Sequence, residues 1–271
     1  MPVVRASDAS IRINQQYNLN KKQRDVESSN YTAASSVKGS TYASLSEVAQ
    51  TSQMTKVKNA ALDQEITSLT LINNDLETID AIYRRFSDIT THCVNRTLNY
   101  TSTFSGDLSF QDECKRFLKE IEALLNTKSA QGGFLFAGTN ENQIPVRDLD
   151  TLAFPGPGMP LDLSAISDFQ DSPPFKNMNI LGYKISLDYK FDNPEIMDMI
   201  HALVIVAHTE RQPKVGSDDY NYLIESMELG QRAQQAMNAK MNYLGAESQI
   251  MMQRIDLSKD QTINNLNIIQ E

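Results

Sequence analysis

The chain has 271 residues, 40% of them hydrophobic, and a net charge of −9, so it can bury a sizeable core and is too acidic overall to read as a nucleic-acid binder. No apolar run reaches the roughly 18 residues of a membrane span, and the first 40 residues hold no uninterrupted apolar segment of the secretory kind. Two cysteines, Cys93 and Cys114, are too few for a disulfide framework and lack metal-ligand spacing. There is no tryptophan and aromatic content is 7%, while 11 methionines join Leu, Ile and Ala in the apolar fraction, a mixture suited to long helical seams.

Charge and proline divide the chain. Residues 1–60 hold eight basic and four acidic side chains, leaving 17 basic against 30 acidic in the rest, so a mildly basic arm precedes an acidic body. An internal proline removes a helix hydrogen bond and clashes with the preceding turn. None falls between Pro2 and Pro145 or after Pro213, whereas Pro145, Pro155, Pro157, Pro160, Pro173 and Pro174 crowd the middle. Four segments follow: a mildly basic N-terminal segment 1–42, a first helical part 43–138, a loop-rich and β-rich insertion 139–193, and a second helical part 194–271.

Within the arm, Lys21, Lys22 and Arg24 could meet anionic lipid or nucleic acid, but Asp25 and Glu27 beside them favour a solvated segment. From about Ser44 to Leu98 the residues Leu62, Ile66, Leu69, Ile72, Leu76, Ile79, Tyr83, Phe86 and Cys93 recur at mostly three- and four-residue steps, which predicts a helix of roughly 80 Å with one apolar seam. A polar break over 99–109 precedes a second stripe, Phe110, Cys114, Phe117, Ile121 and Leu124, ending near Lys128, with Asp107 or Ser109 as its cap. Cys93 and Cys114 are equidistant from a point inside that break. If the chain reverses there, they are predicted to be core neighbours, as buried reduced thiols or, at a close helix crossing, as a bridge.

Gly132 and Gly133 stop the second stripe, and Phe134, Leu135, Phe136, Ala137 and Gly138 form a segment too short for a helix, predicted as a buried extended run. Short β-like runs follow, such as Tyr183–Tyr189. Pro194 opens a helix at its favoured first-turn position, with Ile196, Met199, Ile200, Leu203 and Val204 on one face. From Ser217 a last seam runs through Leu223, Met227, Gly230, Met237, Met241, Leu244, Met251 and Ile255 to Ile263, Leu266 and Ile269. Met227, Met237, Met241 and Met251 read as core at that spacing, with an adaptable partner-binding stripe as the alternative. The predicted fold is mainly α: a long antiparallel helical bundle or coiled coil with a small β-rich insertion at one end.

Several stretches resemble the bacterial flagellin superfamily, and within it the hook-associated proteins of the hook–filament junction. The segment Gly132-Gly133-Phe134-Leu135-Phe136-Ala137-Gly138-Thr139 is similar to the family's glycine–aromatic turn, Asn193–Leu203 to its short helix after the insertion, and Met241–Glu247 to the stretch with Leu-Gly-Ala in its C-terminal rod. The likeness spans about 43–271; Ala34–Thr41 departs from the family's usual N-terminal pattern. The resemblance implies a flagellin-like fold, type III export without a cleaved signal peptide, an extracellular place in the flagellum and assembly into a ring. It implies an assembly role for segment 1–42 and partnership with hook-associated protein, flagellin and an export chaperone, and it implies no nucleic-acid binding, membrane insertion, cofactor or catalysis. A filament subunit and an unrelated coiled-coil scaffold are the alternatives.

Motifs for chemistry are sparse. His201 and His208 share a helix face with Glu195 within two turns, but no HExxH, Cys/His cluster or Glu-x-x-His pair accompanies them, so all three histidines, His92 included, read as structural. Gly132, Gly133 and Gly138 lack the Lys-Ser/Thr and the following helix of a phosphate loop. The residues singled out are therefore the seam (Leu69, Ile72, Leu76, Ile79, Phe86, Phe117, Ile121, Leu223, Met227, Met241, Leu244, Ile255) and the turn (Gly132, Gly133, Phe134, Phe136, Gly138).

Overall fold

A computed structural model describes residues 21–24, 26, 42–103, 109–154, 156, 159, 161, 167, 176–180, 183–187, 189–209 and 213–270. The expected N-terminal assembly segment lies almost wholly outside them, as do Asp107 and most of the proline-rich stretch. Helix α1 spans Tyr42–Thr103, α2 Phe110–Leu125, α3 Pro194–His208 and α4 Asp218–Gln270. The chain divides into two compact units, Met1–Gln64 with Ser258–Glu271, and Glu65–Leu257.

In the larger unit α1 and α4 run antiparallel. Arg254 Nε reaches Glu65 Oε1 at 2.7 Å, Ser248 Oγ donates to Asn73 Oδ1 at 2.8 Å, and Gln234 Nε2 donates to Thr91 Oγ1 at 2.7 Å, so contacts climb one helix as they descend the other. Asn73 is buried and its amide also donates to Glu77. A satisfied polar pair inside an apolar seam penalises any shift of register, because sliding would strand it without a partner. In the smaller unit Asn265 Nδ2 donates to buried Asn59 Oδ1 at 2.8 Å, the same device.

Helix α2 begins with Asp112 and Glu113 in its first turn, where carboxylates favour the positive helix end. It lies antiparallel along α1: Arg85 grips Glu120 through two guanidinium nitrogens, the ring of His92 packs edge-on against Phe117, and Tyr100 meets Phe110. At its C-terminal end the Asn126 side chain donates to Val146 O at 2.7 Å and accepts from Val146 N at 3.2 Å, fastening the chain beyond the glycine turn to the end of the helix. A 3-10 turn, Leu149–Thr151, then packs on α2, with Leu149 N donating to Glu122 Oε2 at 3.0 Å.

Helix α3 starts on Pro194, whose missing N–H costs nothing at the first turn, and ten of its 15 residues are buried. A helix apolar on nearly every side belongs in the interior. It packs against α2, and buried Ser226 of α4 donates to Ala202 O at 2.9 Å.

The expected β-rich insertion is corrected. The described residues are mainly α-helical, and among those of 139–193 the paired strands are those of one antiparallel hairpin, β1 Lys176–Ile180 and β2 Tyr183–Leu187, with register Met178 opposite Ile185. Alternating β-like residues make a sheet only where a neighbouring strand takes up their backbone groups, and two five-residue strands are below what an independent sheet needs. The remaining described residues of the segment are turns, the 3-10 turn, an isolated bridge at Lys190 and extended chain.

Candidate functional site

The glycine–aromatic turn is held by backbone as much as by side chains. Gly132 and Gly138 adopt φ of 92° and 60°, left-handed values that a side chain disfavours. Gly133 is required for a different reason: a Cβ there would lie 2.8 Å from the Glu141 Cβ. Between them, Phe134 N donates to Glu141 O, Leu135 N to Thr127 O, and Phe191 N to Phe136 O. The segment expected to be extended is thus a chain of turns with isolated bridges at Phe134 and Ala137. Lys128 lies over the Phe134 ring at 4.7 Å, while the Phe136 side chain is fully buried.

Phe136 enters a cluster with Tyr83 and Phe86 of α1, ring centroids 6.3 Å from each, and Tyr189 meets Tyr83 edge-on at 6.4 Å. Such spacings give aromatic pairs their favoured tilted geometries. The turn is therefore docked onto the seam of α1.

A polar network runs through the same cluster. Tyr83 Oη donates to Glu195 Oε1 at 2.9 Å, and the Asn193 side chain also hydrogen-bonds Tyr83. All three side chains are buried. Burial, followed by the Glu195 charge, pushes the Tyr83 phenol well above its ordinary value, so it remains a donor. Glu195 sits in the first turn of α3, where the helix end also favours its negative charge. Sequence reading passed over Glu195 and Asn193 as a buried pair. Their only signal was an acid and an amide opening a helix that is otherwise apolar.

Of the seam residues, Leu69, Ile72, Leu76, Ile79, Phe86, Ile121, Leu223, Leu244 and Ile255 are buried in one continuous cluster, Phe117 and Met241 pack against it half-buried, and Met227 is half-buried. Met237 and Met251 are buried in the same cluster. Cys93 and Cys114 are buried free thiols hydrogen-bonded to each other. That bond, then burial, pushes the Cys114 thiol well above its usual range.

The histidines do not converge. His92 Nε2 lies 3.1 Å from Glu113 Oε1, His208 Nδ1 donates to Val204 O at 2.9 Å, and His201 faces the charges of Asp198, Glu225 and Arg232. Glu195 is taken by Tyr83. Among the described residues no group of three His, Cys, Asp or Glu could hold a metal ion. The cavity behind the turn, lined by Asp75, Ser129, Glu141 and Tyr189 among others, measures about 20 Å³, room for one water and far below the several hundred Å³ of a ligand site. Ser129 Oγ donates to the Asp75 carboxylate there. The arrangement fixes the turn, the two long helices and α3 into one core.

No protein-family model and no curated protein matches the chain. Among solved structures it is similar to FlgL of Bacillus cereus, with a TM-score of 0.55 and 14% identity over 74% of this chain and 98% of that one. It is also matched to a chain described as a flagellar hook-associated protein of Vibrio parahaemolyticus, at a TM-score of 0.38 and 12% identity over 83% of this chain and 98% of that one. The first likeness shows that the fold is shared with FlgL. Among the described residues no helix is long and apolar enough to cross a membrane.

Proposed function

We propose that this chain is a non-catalytic structural subunit of the bacterial flagellum, placed at the junction of hook and filament. The observation that carries the reading is the fold shared with FlgL across 98% of that chain. Fold alone does not assign function. It is joined by the sequence resemblance at Gly132–Thr139, Asn193–Leu203 and Met241–Glu247, which are the turn docked on α1, the buried helix α3 and part of α4.

Exposed apolar side chains on the long helices are in keeping with assembly. In the smaller unit Val57 is 70% and Met54 57% exposed on α1, with Ile263 and Leu266 exposed on α4. Such side chains are available to other chains that pack along these helices. On this reading the subunit reaches its place by type III export, is joined by hook-associated protein and flagellin, and meets further copies of itself in a ring.

The test is deletion of the gene in its own organism, followed by electron microscopy and a motility assay. Hooks should be present while filaments are missing or shed into the medium. Full-length, firmly attached filaments would overturn the proposal, and short or mechanically altered filaments would point to a filament subunit instead.

A further inference from the structure

The α1–α2 pair sets the chain's only two cysteines against each other. Facing positions across these antiparallel helices are marked by Arg85 with Glu120, His92 with Glu113 and Phe117, Arg96 with Glu113 at 3.5 Å, and Tyr100 with Phe110. Cys93 and Cys114 lie between these pairs, level with each other and both buried as free thiols. A disulfide needs Cα atoms about 4.4–6.8 Å apart, which antiparallel helices reach where they cross closely, and the facing pairs on either side put the two cysteines level across α1 and α2.

We propose that Cys93 and Cys114 form an oxidative modification site, at which a two-electron oxidation joins the two sulfurs and staples α1 to α2 within one chain. The oxidant class is a small-molecule disulfide. One cysteine thiolate attacks it, forming a mixed disulfide and releasing one small thiolate. The second cysteine thiolate then attacks the protein sulfur of that mixed disulfide, expels the other small thiolate and closes the Cys93–Cys114 bond. Both protein thiols lose their protons to solvent or to the released thiolates, and the oxidant is reduced to two thiols.

Burial makes the site gated. In the closed helix pair the thiols are out of reach and Cys114 resists ionisation, whereas opening of the pair exposes both. Closing the bond restricts the unfolded chain across the residues between the two cysteines, so the cross-linked form should be the more stable.

The test uses the full chain, refolded from urea with oxidised glutathione and compared with a reduced control. The expected product is a monomer lighter by two hydrogens, with the 93–114 link found by peptide mapping. Its thermal midpoint should rise by roughly 5–10 °C, reversed by reductant. Cys93→Ala and Cys114→Ala chains should show neither change. On the folded wild type the reaction should be slow and should accelerate with urea below the unfolding midpoint. Two persistent mixed disulfides, interchain dimers, or a link that lowers the midpoint would overturn the proposal, and rapid native reaction unaffected by urea would overturn the gating. Mapping and midpoint are read on the wild-type chain, so a variant that fails to fold leaves the test intact.

Discussion

Tyr83 of α1 donates a 2.9 Å hydrogen bond to Glu195 at the start of α3, joining residues 112 positions apart inside a core of aromatic rings. A buried carboxylate that loses its donor bears the cost of desolvation without compensation. Tyr83→Phe should lower stability by about 2 kcal/mol, the usual cost of removing a hydrogen bond to a charged group. Glu195→Gln, whose amide oxygen can still accept, should cost less. Urea unfolding curves for the three proteins check this; a Tyr83→Phe chain as stable as wild type would mean that Glu195 is satisfied without the phenol.

Phe136 is the side chain that seats the glycine turn on α1. Its truncation to Ala removes a fully buried ring from between Tyr83 and Phe86, and the expected loss is about 3–5 kcal/mol. Phe134→Ala should cost far less, since that ring is only half-buried under Lys128. Equal losses at the two positions, measured by the same unfolding experiment, would contradict the docking described here.

Gly230 of α4 lies against Val94 and Thr90 of α1. A Cβ there would meet the Val94 Cγ2 at 2.6 Å, and a β-branched side chain on a helix has little rotamer freedom to yield. Gly230→Ala should therefore destabilise by about 1–2 kcal/mol, overpacking outweighing the roughly 1 kcal/mol that Ala gains in helix propensity. In a Val94→Ala background the same substitution should become neutral or stabilising. A double-mutant cycle with no coupling between the two sites would refute the close approach.

Among the described residues the buried His201 Nε2 has no hydrogen-bond partner, and burial lowers the His201 pKa against the opposing pull of Glu225 and Asp198, with Arg232 acting in the same direction as burial. The unfolded chain therefore binds a proton at higher pH than the folded one. Stability present above about pH 6.5, the ordinary histidine value, is lost as pH falls from there through the lower folded value. Thermal midpoints taken from pH 7.5 to 5 should fall more steeply for wild type than for His201→Gln. Parallel slopes would show that other groups carry the acid sensitivity.

Sequence alone determined where the helices lie. A helix closes its hydrogen bonds four residues away and shows its buried face as a stripe within one segment, so proline-free stretches with apolar steps of three and four located α1, α2, α3 and α4. The observed bounds, Tyr42–Thr103 against an expected start near Ser44 and end near Leu98, differ only at the ends, where fraying and capping rather than pattern decide. The levelling of Cys93 with Cys114 was legible only on the condition that the chain reverses in the polar break between them, a reversal that the antiparallel packing of α2 on α1 supplies. Tertiary structure decided what no local pattern carries. Tyr183–Leu187 alternates like a strand, but its pairing, among the described residues, with Lys176–Ile180 depended on which backbone groups were available to it. Glu195 reads as an ordinary first-turn acid until a phenol from 112 residues away reaches it, and Gly230 as a weak helix residue until Val94 stands where its Cβ would be. Each of these is settled by the distance between atoms remote in the chain, a quantity that exists only after the helices have packed.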